Sequence, residues 1–167
     1  MTTSANGNMT HQVNEKDFVI ERIFKAPRKL VFDAFTKPEY VSRWWAPGDY
    51  TIPVCKIDLR TGGMWHYCMR SPEGEEHWVR AIYQEIVEPE KIVYTALFAD
   101  ADANPTEDIP EQLGTITLSE LDASTTKLAL RFAFQTAEAL QWTVKVGMIE
   151  GCSITLQQLD ELLPKLQ

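Results

Sequence analysis

The apolar positions change period several times along the chain, and each change marks an element. In DFVIERIFKA, Phe18, Ile20, Arg22 and Phe24 alternate with Val19, Glu21 and Ile23, the two-residue period of a strand. Pro27 then suits the first turn of a helix, PRKLVFDAFT, whose stripe is Val31, Ala34 and Phe35 at i, i+3 and i+4. Lys37-Pro38 breaks it, PEYVSRWW begins a second short helix, and Ala46-Pro47-Gly48 ends that one. Six strand-like runs follow. TIPVCKIDL and MWHYCMR flank the turn Arg60-Thr61-Gly62-Gly63, and Ser71-Pro72-Glu73-Gly74 leads into HWVRAIYQEIV. Glu88-Pro89-Glu90 leads into KIVYTALF, and after an acidic stretch GTITLSEL turns at Asp122-Ala123-Ser124 into TKLALRFAFQ. Over residues 136 to 163 the period lengthens again. Leu140, Val144, Met148, Cys152, Leu156, Leu159 and Leu163 form one continuous apolar face, with Thr136 as cap and Pro164 as stop. At about 1.5 Å per residue such a helix is a rod of roughly 42 Å.

The order strand, two short helices, six strands, long helix predicts an α+β fold. A seven-stranded antiparallel meander can cover one long helix only by curling round it. Residues 1–16 carry no such pattern and read as a flexible tail, and residues 17–167 read as a single domain. Register matters at the first of the six strands. A two-residue turn sets Cys55 opposite Cys68, whereas a three-residue turn sets it opposite Met69. The apolar pattern favours the second, so the three cysteines are expected as free thiols.

Composition narrows the classes of function. The hydrophobic share is 44% and the formal net charge is −8, which argues for a globular chain and against nucleic-acid binding or docking on an anionic membrane. No apolar stretch approaches a membrane span, and the N-terminus lacks a secretory pattern, so the expected location is cytoplasmic.

The stretches KAPRKLVFDAFTKPEYVSRWWAPGDYT and KIDLRTGGMWHYCMRSPEGEEHWVRAIYQEIVEPEKIVYT, with Glu150-Gly151 in the late helix, resemble the AHSA-type branch of the SRPBCC (START-like) superfamily. The resemblance runs from about Asp17 to Leu163, and Arg-Trp-Trp-x-Pro and Asp-Leu-Arg-x-Gly-Gly-x-Trp carry most of it. It implies a helix-grip fold, in which the sheet grips the C-terminal helix and leaves a cavity between them. Two positions depart from the pattern. Cys152 stands where relatives often have Trp, and Phe132 stands near a place where they often have a polar residue. Both changes imply a wider and more apolar cavity.

Strand alternation says which side chains would line that cavity. Trp65, Tyr67 and Met69 form the more apolar face of MWHYCMR. Ile92, Tyr94, Ala96 and Phe98 would join them, with Leu128, Leu130, Phe132 and Phe134. Val144, Met148 and Cys152 stand across on the long helix, and Phe32 and Phe35 lie on the first helix. Of the tandem Trp44-Trp45, at least one ring is expected to plug the junction of helix and sheet; Trp45 is assigned to the cavity. Each residue singly reads first as core; together they suit a small hydrophobic or aromatic ligand, with Tyr67 and Tyr94 as polar handles. The physiological role stays unassigned.

Catalysis has less support. His66, Cys68 and His77 could cluster on one strand face, but they lack a fourth ligand and a zinc spacing signature. The reading therefore assigns no catalytic residue, no metal and no cofactor. A cyclase- or hydrolase-type enzyme using the same cavity is the alternative, and a chaperone ATPase activator, suggested only by the family's name, is a second. The edge of a curled sheet also leaves room for a homodimer.

The stretch DADANPTEDIPE spells part of a calcium loop. Its sixth place holds Pro105, where such a loop needs glycine, and it joins strands, not helices. It reads instead as an acidic lid over the cavity mouth, with Asp100 and Asp102 as its charges, Pro105 as a stiffener, and Ile109 and Leu113 able to dip inward.

Overall fold

A computed structural model describes residues 2–3, 9–106 and 111–166. The seven expected strands are all present: β3 (Asp17–Phe24), β4 (Thr51–Ile57), β5 (Met64–Arg70), β6 (Glu76–Val87), β7 (Lys91–Ala99), β8 (Gln112–Asp122) and β9 (Thr125–Ala133). Between β3 and β4 lie the short helices α1 (Arg28–Thr36) and α2 (Pro38–Trp44). Pro38 opens α2, where its missing N–H has no helical partner to lose.

The N-terminal segment differs from the expected tail. Met9–Val13 forms β2, paired antiparallel with β3, and Thr2–Thr3 forms β1 against β2. Met9 is 1% exposed. Asn14 closes the β2–β3 turn through its backbone N–H to the Asp17 carbonyl at 2.8 Å. Five residues with a single large apolar anchor give little periodic signal, so backbone pairing places this strand more than side-chain pattern does. The sheet order is β1-β2-β3-β9-β8-β7-β6-β5-β4, antiparallel throughout and open at both edges.

The expected single C-terminal helix is two: α3 (Ala137–Lys145) and α4 (Met148–Leu166). Thr136 caps α3, its hydroxyl accepting from the Ala139 N–H. Gly147, with φ +96°, ends it in the left-handed region that glycine enters without steric cost. Pro164 does not stop α4, which runs two residues past it.

The β4–β5 register also differs from both alternatives. Cys55 opposes Tyr67 and Val54 opposes Cys68, so the two thiols lie on opposite faces. The connection is longer than either turn because it docks on β6: the Gly62 N–H donates to the Tyr83 carbonyl, and the Tyr83 N–H donates to the Gly63 carbonyl. All three cysteines are free.

Gln158 fixes α4 over the sheet. Its amide nitrogen donates to the Trp44 and Ala46 carbonyls, and its amide oxygen accepts from the Gly48 N–H, each at 2.9 Å. On the other side, Arg22 of β3 donates to Gln157 at 2.8 Å and lies 3.5 Å from Asp160. Between these ties Leu156, Leu159, Leu162 and Leu163 are buried against the inner face of the sheet.

Candidate functional site

The inner face of the sheet and the two C-terminal helices line a partly open cavity of about 380 Å³. β5 contributes Trp65, Tyr67 and Met69 on its inward face, β7 contributes Tyr94, Ala96 and Phe98, and β9 contributes Leu130 and Phe132. Met148 and Cys152 close it from α4, and Trp45 from the end of α2. Trp45 can reach the cavity because Trp44 takes the structural role. The Trp44 ring is buried and its indole N–H donates to the Ala34 carbonyl at 2.8 Å.

The aromatic rings form a continuous wall. Trp45 meets Trp65 with centroids 4.9 Å apart, Trp65 lies over Tyr67 at 4.8 Å, and Trp65 meets Tyr94 at 5.8 Å. Edge and offset contacts of this kind add to the burial of the rings. Gly114 makes room for Tyr94. It sits opposite Tyr94 across the β7–β8 ladder, and a Cβ there would fall 2.4 Å from Tyr94 Cζ and 2.7 Å from its hydroxyl. The Tyr94 ring thus lies flat across a residue that must have no side chain.

Burial dominates the ionisation of the wall. It pushes the Tyr94 phenol well up, and that of Tyr67 likewise, with the Trp45 indole opposing it at Tyr67. It pushes the Cys152 thiol up to about 12 and the Cys55 thiol up to about 11. These groups are neutral at pH 7. No lining residue is Asp, Glu, Lys, Arg or His among the described residues.

Five of the expected cavity residues lie elsewhere; two of them, Ile92 and Leu128, are buried in the core beside the cavity. Phe32 and Phe35 are buried in the core, Phe35 edge-on to Trp44 at 4.8 Å. Val144 lines a separate groove with Val13, Asn14 and Leu140. The break at Gly147 shifts the phase of α3, so Thr143 and Val146 turn to the cavity where a continuous helix would have turned Val144. Trp142, Gln112 and Thr155 also line the cavity without being expected. The Thr residues had a signal: a polar position beside an apolar stripe on a helix packed against a sheet.

The acidic stretch turns away from the cavity in its described part. Asp100 folds the loop on itself, its Oδ1 accepting from the N–H groups of Asp102 and Asn104 at 2.9 Å each. The Asn104 backbone bond leads in holding that carboxyl below its usual range. Pro105 bridges to Ala99. The Asp100 carbonyl meets His66 Nε2 at 3.0 Å, and the Ala103 carbonyl accepts from Arg80 at 3.3 Å. His66 and Arg80 pair across the sheet on the face away from Trp65 and Tyr67. Leu113, opposite Thr95 and Ala133, is on that outer face too, and Gln112 takes the inner one. Ile109 lies outside the described residues.

The His66, Cys68, His77 cluster does not assemble. Cys68 opposes Trp78 and His77 opposes Met69. Among the described residues no group of three or more His, Cys, Asp and Glu could hold a metal ion. No described helix is long and apolar enough to cross a membrane.

Known structures share this architecture. Protein Ms6760 from Mycobacterium smegmatis superposes with a TM-score of 0.82 at 30% identity, covering 93% of this chain and 95% of that one. A Staphylococcus epidermidis protein gives 0.83 at 28% identity, with 95% and 96% covered. The AHSA1 protein from Silicibacter pomeroyi gives 0.71 at 20% identity, with 90% and 99% covered, a likeness of fold alone. None of the curated proteins matches the chain. Residues 25–164 match the family described as Activator of Hsp90 ATPase homolog 1-like protein, and the chain belongs to that family.

Proposed function

We propose that the protein binds a small apolar or aromatic molecule in the cavity between sheet and C-terminal helices. The observation that carries this reading is a cavity of about 380 Å³ walled by Trp45, Trp65, Tyr67, Tyr94, Phe98 and Phe132, with no charged side chain on its lining among the described residues. A volume in this range holds a compact ligand, and such a wall gains most from an apolar one. The same lining favours binding over general acid–base catalysis, which needs a carboxylate or imidazole within reach of the substrate. A thermal-shift screen with lipids, aromatic acids and polyketide-like compounds tests it. Ligand at 100 times its Kd stabilises the native state by about 2.7 kcal/mol, an easily read rise in melting temperature. A screen in which no compound raises the melting temperature defeats the reading. The family's name points to chaperone ATPase activation, and an ATPase assay with added chaperone tests that role separately.

A further inference from the structure

Resting on that reading, we propose that Gly151 is where the ligand meets α4, and that this contact selects a flat, uncharged aromatic ring system over a puckered one of the same skeleton.

Gly151 is a glycine that the fold does not require. Gly114 is needed because Tyr94 lies across it, and Gly147 because its φ is +96°. Neither reason applies to Gly151. It lies inside α4, its φ is outside the left-handed region, and its N–H makes an ordinary helical bond to the Gly147 carbonyl at 2.9 Å. A Cβ added there would meet nothing within 4 Å. Glycine is among the poorest helix formers, because it has the most backbone freedom to lose on folding. Alanine would therefore suit the helix better and touch nothing. The chain carries glycine where it weakens the helix, and that position lines the cavity.

The missing side chain leaves bare backbone on the helix side of the cavity. Met148 and Cys152 line it with Gly151, and the sheet supplies the rings of Trp65, Tyr67, Tyr94 and Phe132. Peptide backbone on one side and rings on the other favour a flat ligand, whose whole face comes within van der Waals reach of such surfaces. A saturated ring system of the same skeleton is thicker by its axial hydrogens and holds its carbons off both. A methyl group at Gly151 would stand in the space that the flat ligand uses. Charge adds a second selection. The lining carries no charged side chain among the described residues, so an ionised ligand would lose its hydration and meet no counter-charge.

A matched pair of probes separates this contact from simple burial. 2-Naphthol and decahydro-2-naphthol share a skeleton and a hydroxyl but differ in thickness, and both are titrated calorimetrically against the full chain and against Gly151→Ala. Apolar burial alone favours the saturated probe, which has the larger surface. The wild type is expected instead to bind 2-naphthol about tenfold more tightly. Gly151→Ala is expected to weaken 2-naphthol about tenfold. The same variant, without ligand, is expected to melt about 2 °C higher, because the helix gains and no contact is lost. A glycine needed by the fold would move the melting temperature the other way. Binding of 2-naphthol to Gly151→Ala within about twofold of wild type overturns the inference and leaves the apolar cavity reading standing. So does equal or tighter binding of the saturated probe, and so does a lower melting temperature of the unliganded variant. If neither probe binds but the wider screen yields ligands, a set without flat aromatic members overturns the inference alone. If the wider screen is also silent, the cavity reading falls with it.

Discussion

The two C-terminal helices wall the same cavity and are held very differently. α4 buries Ile149, Thr155, Leu156, Leu159, Leu162 and Leu163, and Gln157 and Gln158 tie it to β3 and to the end of α2. α3 buries Leu140 and Thr143, while Trp142 is 42% exposed and Val146, just beyond it, is 60% exposed. A helix with few buried anchors opens at lower free energy than the domain unfolds. α4 is thus the fixed floor of the cavity and α3 its cover, with Gly147 as the joint between them.

The largest expected effect tests the floor. Leu159→Ala removes a side chain that is 0% exposed and should cost about 2–5 kcal/mol in denaturant unfolding. Leu140→Ala should instead release amide protection in α3 before it lowers protection in β6 to β9. If hydrogen exchange shows both variants loosening the whole sheet equally, the helices form one cooperative unit and the contrast is wrong.

Glycine substitutions come next. Gly114→Ala should cost about 1–3 kcal/mol and displace the Tyr94 ring, because the added Cβ meets it at 2.4 Å. Gly147→Ala forces a side chain to φ +96°, a strain of about 1–3 kcal/mol, and the loss should appear as fraying of α3 alone. A uniform fall in protection after Gly147→Ala would move the joint out of the account.

Thiol chemistry reports the cover more gently. Cys152, pushed up to about 12 by burial, should be alkylated slowly at pH 8, at a rate set by opening of α3. The same shift fixes a sign. The folded thiol stays protonated while the unfolded one ionises near its ordinary pKa of about 8.5, so this group's contribution to stability falls as pH rises above that value. Cys152→Ser should flatten the decline between pH 8.5 and 10.

The smallest effect belongs to Trp142→Ala. Equilibrium stability should change by about 0.5 kcal/mol or less, as for an exposed position, while Cys152 alkylation and ligand dissociation both accelerate. Unchanged rates would show that Trp142 does not guard the cavity.

The alternation of β5, β7 and β9 was enough to point Tyr67, Tyr94 and Phe132 inward, because a sheet with one buried face leaves a two-residue period little freedom. The tandem tryptophans divided their roles as the end of a helix requires. What the sequence could not display were features with no periodicity. A one-residue break at Gly147 changed which side of α3 meets the cavity, so Val144 left it and Thr143 entered. Gly114 became meaningful only once pairing placed it under Tyr94. The acids around Asp100 look like a lid as a string of charges, yet two backbone carbonyls, which no composition reveals, hold the described part to the outer face.

The strand that precedes the family match has a practical consequence. The matched region begins at residue 25, but β3 ends at Phe24 and carries Phe18, whose ring lies 5.3 Å from that of Phe132 on the cavity wall. Trimming the chain to the matched residues would strip a central strand from the sheet. β9 would be left as a bare, adhesive rim, and the cavity would open to water along its length. The sheet that walls the cavity therefore includes a strand that the family match leaves out.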